Sequence, residues 1–229
     1  KYTEYGAYTQ IQKKFLNDRA KFTGSVRYDK SQNFEGNFSP RVSMTYAAGA
    51  DKKHNFRASY QTGFRNPTTQ DQYIGLDVGP FALIGSAKDN LTRYIETRQV
   101  SAASSALPGY SANVTLSGLN AYNNSYSLTS VQEAVAADDA TLLKVAKIGL
   151  VKPERVQAIE VGYRTIFDKL SIDISGYYNT YNDFLSQERV ITPYIGFGTP
   201  DALDYIKNGD RRVYQIYTNS EAKVNSYGA

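Results

Sequence analysis

The sequence predicts an all-β protein whose long antiparallel strands form part of the wall of a membrane-spanning β-barrel. Three observations lead to this prediction. Apolar and polar residues alternate with a period of two over several long stretches. Short turns join these stretches at one end and long connections join them at the other. Tyrosines, 20 of the 229 residues, are frequent near strand ends, as is typical of the aromatic girdles of outer-membrane barrels.

The first two strands are predicted over residues 4–15 and 20–29. In the second strand Phe22, Val26 and Tyr28 alternate with Lys21 and Arg27. The first strand alternates less regularly, with a lysine at position 13 on its apolar side. Residues 16–19, Leu-Asn-Asp-Arg, are rich in residues that tolerate tight turns. The pair is therefore predicted to form an antiparallel hairpin.

Two further hairpins follow the same pattern. Strands over residues 41–46 and 55–65 flank a turn at 49–53, and strands over residues 159–167 and 170–180 flank the turn Asp168-Lys169. A last strand is predicted to begin near Arg212 and to continue to Ala229. The total is about seven strands. Because strand-like sequence begins at Lys1 and continues to Ala229, we expect both ends to be cuts through a longer protein.

The connections at the other end are long, and we expect them at residues 30–40, 66–153 and 191–211. Loops of more than about 15 residues in a compact domain are usually functional or disordered. The middle connection has structural signals of its own, because Ser130 to Glu133 reads as a capping box that opens a helix to about Lys147, with a break at Asp138-Asp139. A second short helix is predicted between Thr199 and Gly209. The long loops are thus predicted to contain short helices.

The composition excludes several classes of function. The chain has no cysteine and one histidine, so it cannot form a thiolate or multi-histidine metal site. A net charge of +4 is too small to suggest nucleic-acid binding. Apolar runs are also too short for a membrane-spanning helix. No catalytic residue, metal site or cofactor is predicted.

Alternation alone allows two readings. A sheet in lipid must leave no open edge, since hydrocarbon offers the backbone no hydrogen bonds, and it turns its apolar residues outward. A soluble β-sandwich alternates similarly, but its strands usually have ~5–6 residues. The long strands and the charged opposite faces favour the barrel.

Four stretches of the sequence resemble the barrel domain of TonB-dependent outer-membrane receptors. Residues 37–46 contain Ser-Pro-Arg, and residues 54–67 end in Gly-Phe-Arg-Asn-Pro, which together are similar to a hairpin of that family. Residues 151–164 resemble the family strand that contains Pro-Glu and Gly-Tyr-Arg, and residues 170–184 resemble the strand that follows it. The resemblance covers nearly all of the chain, apart from the contents of the loops.

The resemblance implies a 22-stranded barrel whose lumen is closed by a plug domain. About seven strands cannot close such a barrel, so the chain is expected to supply part of its C-terminal half, with residues 1–229 forming one barrel segment. The plug and the energy-coupling segment are expected outside these residues. The implied partners are outer-membrane lipid, the protein's own plug, TonB, and a surface lipoprotein or another outer-membrane subunit. The implied location is the outer membrane, with the long loops extracellular.

Two groups of residues are predicted to have functional roles. Charged residues on the polar parity are expected to face the lumen and contact the plug, and they are Arg27, Arg41, Arg57, Glu160, Arg164 and Asp173. Ligand contact is predicted for rim and loop residues, namely Gln61, Arg65, Asn66, Tyr94, Arg98, Asn182, Tyr194 and Phe197. Other loop aromatics, Tyr73, Phe81, Tyr110, Tyr122, Tyr126 and Tyr205, are also able to stack on a ligand. All of these aromatics serve equally well to pack the loops.

The resulting functional hypothesis is part of an active transporter that binds a ligand at the cell surface and imports it with energy from the TonB complex. The alternative is a barrel subunit of a larger outer-membrane assembly with a structural or binding role. An outer-membrane hydrolase is the third reading. The sequence shows no nucleophile–base–orienter set that a hydrolase requires, and its single histidine, His54, is expected to be solvated in a turn. The sequence does not identify the transported substrate.

Overall fold

The computed structural model describes residues 2–106 and 111–229, so the predicted loop aromatic Tyr110 lies outside the described residues. The chain divides into two compact units. The first unit contains Lys1–Asn66, Pro153–Phe184 and Glu221–Ala229. The second contains Pro67–Lys152 and Leu185–Ser220. The predicted loop at 66–153 therefore corresponds closely to the larger part of a folded unit.

The first unit is a seven-stranded sheet in which every neighbouring pair is antiparallel. In sheet order its strands are β1 (Glu4–Phe15), β2 (Ala20–Ser31), β3 (Asn37–Ala48), β4 (His54–Arg65), β10 (Glu154–Phe167), β11 (Leu170–Asn182) and β14 (Val224–Gly228). The predicted all-β fold with antiparallel strands is confirmed. Most strands are 12 residues or longer.

The register of the sheet separates apolar from polar residues across all seven strands. One line of paired residues runs Ile11, Gly24, Val42, Tyr60, Ile159, Tyr178 and Tyr227. The adjacent line runs Gln10, Ser25, Arg41, Gln61, Ala158, Asn179 and Ser226. Successive residues of a strand point to opposite faces, so the first line belongs to an apolar face and the second to a polar face.

The apolar face does not form the core of the first unit. Val161 is 54% exposed and Phe56 is 48% exposed, and Phe22 is exposed as well. Such large exposed apolar surfaces are unusual in soluble monomers and mark membrane or protein contacts. The face therefore has the form that a lipid-facing surface requires.

Short turns close one end of the sheet, as predicted. Leu16, Asn17 and Asp18 all have left-handed backbone angles, with φ of 56°, 54° and 62°. Gly49 has φ of 85° and Asp168 has φ of 47° at the other two hairpins. Asn, Asp and Gly are the residues that adopt this conformation most readily. The connections at the opposite end, called here the loop end, lead into residues 32–36 and into the second unit.

His54 differs from its predicted solvated position. Its ring is half-buried, with Nδ1 lying 2.7 Å from the Tyr163 hydroxyl and its plane stacked on that ring at 6.1 Å. Phe167 packs edge-on at 5.8 Å. The register explains the correction, because His54 pairs with Thr165 and therefore lies beside the tyrosine two residues away.

Among its described residues, the second unit contains a five-stranded sheet, a two-stranded sheet, six short α-helices and a 3-10 helix at Ala140–Leu142. The sheet order is β5 (Gly75–Asp77), β6 (Ala82–Ile84), β13 (Arg211–Asn219), β12 (Leu185–Pro193) and β9 (Tyr126–Ser127), while β7 (Ile95–Gln99) pairs with β8 (Asn113–Ser117). The helices are α1 (Thr69–Tyr73), α2 (Lys88–Arg93), α3 (Ala102–Ser105), α4 (Gly118–Asn123), α5 (Leu128–Ala137) and α6 (Ala202–Lys207). Among the described residues no helix is long and apolar enough to cross a membrane.

The five-stranded sheet is buried on both faces. Val190 of β12 packs in a cluster with Ile84, Leu91 and Tyr214, whereas the next residue, Ile191, packs with α5 and α6 in a second cluster. Adjacent residues of a strand point in opposite directions. The second unit therefore has an apolar core on each side of its sheet. In the first unit, by contrast, the apolar residues lie on one face of the sheet and are exposed.

Several boundaries differ from the predicted ones, and both β3 and β10 begin earlier than predicted, at Asn37 and Glu154. The helix predicted from Ser130 begins at Leu128, with the Ser127 hydroxyl accepting from the Ser130 N–H, and it ends at Ala137 because Asp138 turns left-handed with φ of 54°. The strand predicted from Arg212 to Ala229 is two strands in different sheets, separated at residues 220–223. The loop that was predicted to begin at residue 191 begins after Pro193, because β12 continues to that residue. The helix predicted between Thr199 and Gly209 is confirmed as α6.

Candidate ligand-binding site

The charged residues predicted for the lumen all lie on the polar face. Arg41, Arg57 and Glu160 occupy strand positions whose side chains point to the polar face. Arg164 and Asp173 pair directly with each other and occupy positions of the same face. Arg27 lies on the same face, since it pairs with Tyr8 and Ser39. The structure therefore brings the predicted set together on one surface. Whether that surface contacts a plug stays a prediction.

Arg57 is the centre of the largest charge contact on this face. Its Nη1 lies 3.1 Å from Asp173 Oδ1 and its Nε lies 3.7 Å from Glu160 Oε1. A Cβ on Gly162 would approach the Arg57 Nε to 2.4 Å, so the glycine leaves the space in which this guanidinium lies. All three charged side chains are substantially exposed, and such pairs contribute only about 0–1 kcal/mol to stability.

A polar cavity of about 590 Å³ lies on β1 to β4 at the loop end of the sheet, and we call it the loop-end cavity. Its lining combines charged, hydroxyl and amide residues with two aromatic residues. The lining residues are Glu4, Tyr5, Gly6, Arg27, Asp29, Lys30, Ser31, Ser39, Thr62, Gly63, Phe64 and Asn66. β3 pairs with β4 only from Arg41 onward, so the two strands separate beside this cavity.

Three oxygens of this lining are buried without a hydrogen-bond partner among the described residues. They are Ser31 Oγ, Thr62 Oγ1 and Asn66 Oδ1. A buried polar group without a partner costs about 1–3 kcal/mol, and such groups are rare in native structures unless a bound molecule or water satisfies them. Ser31 lies on the polar parity of the sheet, whereas Thr62 pairs with Gln157 and lies on the apolar parity, so these two oxygens belong to opposite faces.

The charges around the cavity are already paired. Arg27 Nε donates to Asp29 Oδ1 at 2.9 Å and to Oδ2 at 2.8 Å. Lys30 Nζ donates to the carbonyl oxygen of Phe34 at 2.5 Å. Asn66 Nδ2 donates to Glu4 Oε1 at 3.3 Å. The cavity wall thus offers neutral hydrogen-bonding groups and no charge that lacks a contact.

The predicted rim residues are only partly brought together. Asn66 lines the loop-end cavity, and Gln61 lines a neighbouring pocket of about 560 Å³ on the same face. Arg65 is exposed, with Nε 2.6 Å from Glu154 Oε2. Asn182 requires a correction. It pairs with Arg155, which pairs with Phe64, so Asn182 lies on the apolar parity, opposite to Gln61 and Arg65.

Arg98, predicted as a ligand-binding residue, belongs to an ion cluster in the second unit. Its Nη2 lies 2.5 Å from Glu96 Oε2 and 2.5 Å from Asp77 Oδ2. The buried Arg212 contacts the same two carboxylates, with Nη2 2.6 Å from Asp77 Oδ1 and Nε 3.3 Å from Glu96 Oε1. The Tyr214 hydroxyl donates to Glu96 at 2.6 Å. This cluster connects β5, β7 and β13 and is internally neutral.

The ion cluster shifts the pKa values of its members. Hydrogen bonding from the Gly79 N–H, and then from Arg212 and Arg98, lowers the pKa of Asp77 to about 2. Burial opposes the charge of Arg98, but its hydrogen bonds to Glu96 and Asp77 raise its pKa. Burial, followed by the nearby charge of Glu96, raises the pKa of Tyr94 to about 12. At neutral pH all these groups therefore keep the charge states that hold the cluster together.

The predicted aromatic ligands of the second unit contact its cores. Tyr94 and Tyr194 are half-buried and pack against the cluster that contains Tyr214. Phe197 packs on Tyr126 with a centroid distance of 5.1 Å. These contacts match the packing role that the sequence allowed, and a ligand role for these rings stays a prediction.

Sequence reasoning missed the cavity residues Glu4, Asp29, Ser31 and Thr62. No local motif distinguishes these residues from other strand residues, because the cavity depends on how four strands are aligned. The described residues contain no group of three or more histidines, cysteines, aspartates or glutamates able to hold a metal ion.

Comparisons with known proteins agree with this geometry. The family model of the TonB dependent receptor-like β-barrel matches residues 1–229. No curated protein matches the sequence. The solved siderophore receptor PirA from Pseudomonas aeruginosa is similar to this chain with 13% identity and a TM-score of 0.51, covering 99% of this chain and 30% of that one.

Two more solved structures are similar to the chain. PirA from Acinetobacter baumannii has 11% identity and a TM-score of 0.50, covering 99% of this chain and 25% of that one. A mutant ferric enterobactin receptor, PfeA from Pseudomonas aeruginosa, in complex with enterobactin has 12% identity and a TM-score of 0.52, with 99% and 24% covered. The chain thus spans less than a third of the length of these structures. At such identities the similarity shows the fold.

Proposed function

Because the chain belongs to the TonB-dependent receptor-like β-barrel family, we propose that it forms part of an active outer-membrane transporter. This family consists of receptors and transporters rather than enzymes. In the proposal, ligand binds at the cell surface and enters the periplasm with energy from the TonB complex. The residues of this chain supply wall and loops and do no covalent chemistry.

The separation of the two sheet faces is the observation that supports this function. Most residues on one face of the seven adjacent strands are apolar, with Lys13 and Arg155 near the strand ends as exceptions, and the other face carries the arginine, glutamate, aspartate and glutamine residues together with Tyr8 and Tyr177. A sheet in lipid needs this arrangement, since hydrocarbon accepts the first set and an aqueous lumen accepts the second. We accordingly place the apolar face in lipid and the charged set, centred on Arg57, towards the lumen and the plug.

The second unit is proposed to be extracellular. Its two segments are inserted between β4 and β10 and between β11 and β14, so both leave the sheet at the loop end. Folded loops on a rigid scaffold are often binding surfaces. Ligand contact is proposed at the loop end of the polar face, at Gln61, Arg65 and Asn66. The solved neighbours are siderophore receptors, but their low identity assigns no ligand to this chain.

The register allows a clean test of the second unit. β4 and β10 are adjacent, with Arg65 paired to Glu154, and β11 and β14 are adjacent, with Tyr181 paired to Val224. Short turns can therefore replace residues 67–152 and 185–220 in the full-length protein without interrupting the sheet. We expect the variant to assemble in the outer membrane but to lose uptake.

Uptake is measured in cells with a labelled panel of ferric siderophores, cobalamin and oligosaccharides, with and without functional TonB. TonB-dependent uptake by the wild type, lost in the turn variant, is the expected result. Uptake that is the same without TonB would refute active transport, and unchanged uptake by the turn variant would give the second unit a structural role.

A further inference from the structure

The positive charge of the chain is concentrated at one end of the first unit. Short turns join β1 to β2 and β3 to β4 there, and we call residues 13–21 and 49–53 the basic turn end. It contains two acidic residues, Asp18 and Asp51, and six basic residues, Lys13, Lys14, Arg19, Lys21, Lys52 and Lys53. Its formal charge is therefore +4, which equals the net charge of all 229 residues. The third turn, Asp168-Lys169, is neutral.

Hydrogen bonds join the two turns of the basic turn end into one surface. Lys52 Nζ donates to the carbonyl oxygen of Asn17 at 3.1 Å, and Arg19 Nη1 donates to that of Gly49 at 2.5 Å. A carbonyl oxygen carries no net charge, so these bonds fix the cations in place without neutralising them. The two turns therefore present their positive charge together.

Three lysines of the basic turn end lack a counter-charge. Lys14 lies directly opposite Lys21 in the register of β1 and β2, and like charges placed in this way destabilise a sheet. Neither of these side chains, nor that of Lys13, forms a hydrogen bond or an ion pair among the described residues. An anionic partner would relieve this repulsion, and it would be either a lipid headgroup or an acidic protein segment.

The position of Lys13 favours the lipid headgroup. Lys13 pairs with Phe22 and occupies a position of the apolar face between Ile11 and Phe15. A charge on a lipid-facing surface is costly at the membrane centre and much less so near the interface. Lys13 is two residues, about 7 Å, from the end of β1, so its long side chain can extend the ammonium group into the headgroup layer. A plug inside the lumen would lie on the opposite face of the sheet.

We propose that the basic turn end binds the headgroups of anionic phospholipids. Clusters of about 4–8 basic residues beside a membrane-spanning segment are a recurrent feature of anionic-lipid binding, and this end of the sheet has six. Leu16, which is 62% exposed in the first turn, adds an apolar side chain at the same boundary. Because the second unit is proposed to be extracellular, these lipids belong to the periplasmic leaflet. The inference goes beyond transport and rests only on the placement of the apolar face in lipid.

Lipid binding is measured on the full-length protein in phosphatidylcholine vesicles, with any cysteine outside these residues replaced by serine. A bimane label at Leu16→Cys reports on the basic turn end. The control label is at Leu170→Cys, a similarly exposed position beside the neutral third turn, on a strand about 24 Å from β1 in the sheet order.

The vesicles contain either 5-doxyl phosphatidylglycerol or 5-doxyl phosphatidylcholine, whose nitroxide quenches nearby bimane. We expect phosphatidylglycerol to quench the label at position 16 about twofold more than phosphatidylcholine does, because the cluster attracts the anionic headgroup. At position 170 we expect the two lipids to quench equally.

Charge variants identify the cause of the preference. Combining Lys13→Gln with Lys52→Gln and Lys53→Gln removes half of the basic residues of the cluster, and we expect the preference at position 16 to disappear. Lys169→Gln, which removes a cation from the third turn, should leave it unchanged. If the triple variant does not assemble, the unsubstituted turn end in about 1 M salt makes the same test, because the Debye length then falls to about 3 Å.

The proposal is overturned if both lipids quench the label at position 16 equally, if position 170 shows the same preference, or if the triple variant keeps it. Equal quenching at position 16 would assign the cluster to an acidic protein segment instead. Absence of quenching by either lipid at both positions would refute the placement of the sheet in the membrane as well. Because uptake is not measured here, a failure of lipid binding is distinct from a failure of TonB-dependent transport.

Discussion

Asp77 shows how one carboxylate stabilises the second unit. It accepts hydrogen bonds from the Gly79 N–H at 2.8 Å and from Arg212 at 2.6 Å, and it contacts Arg98 as well. Its side chain is 45% exposed, while Arg212 is 6% exposed. The half-exposed carboxylate therefore supplies a counter-charge to an arginine that the unit buries.

The lowered pKa of Asp77 predicts a pH dependence of this unit. A carboxyl group whose folded pKa lies below its unfolded pKa stabilises the folded state above the unfolded value, near 4, and loses that contribution as pH falls through about 2. Hydrogen exchange of β13 amides in the full-length protein should accelerate over this interval, after correction for intrinsic exchange. In Asp77→Asn the additional pH dependence should be absent. An unchanged profile in that variant would assign the effect to other carboxylates.

Val161 and Arg57 test the two sheet faces one residue at a time. Val161 is exposed on the apolar face, and its neighbour in sequence, Glu160, contacts Arg57 on the polar face. A lysine on the lipid face near the membrane centre costs ~2–4 kcal/mol. We expect Val161→Lys to impair barrel assembly and Arg57→Ala to be tolerated, as measured by heat-modifiable gel mobility. Equal tolerance of both changes would contradict the lipid-facing assignment.

At the scale of secondary-structure elements, glycines determine how closely the segments of the second unit approach. A Cβ on Gly85 would lie 2.6 Å from the carbonyl carbon of Gln72, which is backbone and cannot move away easily. By contrast, a Cβ on Gly149 would meet nothing within 4 Å. The absence of a side chain at Gly85 therefore allows the backbone that follows β6 to contact the backbone at the end of α1.

This contrast predicts different effects of the same substitution. Gly85→Ala should destabilise the second unit by about 1–3 kcal/mol, because the backbone must shift, whereas Gly149→Ala should have little effect. Limited proteolysis of the full-length protein, followed by mass spectrometry, measures the opening of the unit. Similar cleavage rates for the two variants would show that the approach of β6 to α1 is not tight.

The hairpins were predictable from sequence because both of their determinants are local. Period-two alternation defines each strand, and residues such as Asn17 and Asp168 define the turns between strands. The end of α5 was harder to predict, because the left-handed Asp138 ends a pattern whose helical residues continue beyond it. Local signals thus fix the type of an element better than its ends.

Pairing between distant segments could not be predicted in the same way. Residues 211–219 and 224–228 both alternate, and only their partners, β12 and β11, place them in different sheets. Asn182 was assigned to the polar face although its parity matches Tyr178 and Thr180. The loop-end cavity depends on the alignment of four strands, so lining residues such as Ser31 and Thr62 carry no local signal, although Arg27 and Asn66 were predicted from parity and position.

At the scale of the whole molecule, the two units solve the problem of apolar burial differently. The second unit encloses its sheet between two apolar clusters, as a water-exposed domain does. The first unit leaves residues such as Ile11 and Tyr227 exposed, at 66% and 80%. A surface of this kind is stable only when another apolar phase covers it, and the family places that phase in the outer membrane.

The two faces of the seven-stranded sheet are expected to meet different solvents. These 229 residues contain no cysteine. In the full-length protein, with any cysteine outside these residues replaced by serine, single cysteines carry spin labels at Ile11, Val42 and Ile159 on one face and at Gln10, Arg41 and Ala158 on the other. In lipid vesicles, power-saturation measurements should find the first group accessible to oxygen and the second to a water-soluble nickel complex. Equal accessibility of adjacent positions to the two reagents would contradict the assignment of one face to lipid and the other to water.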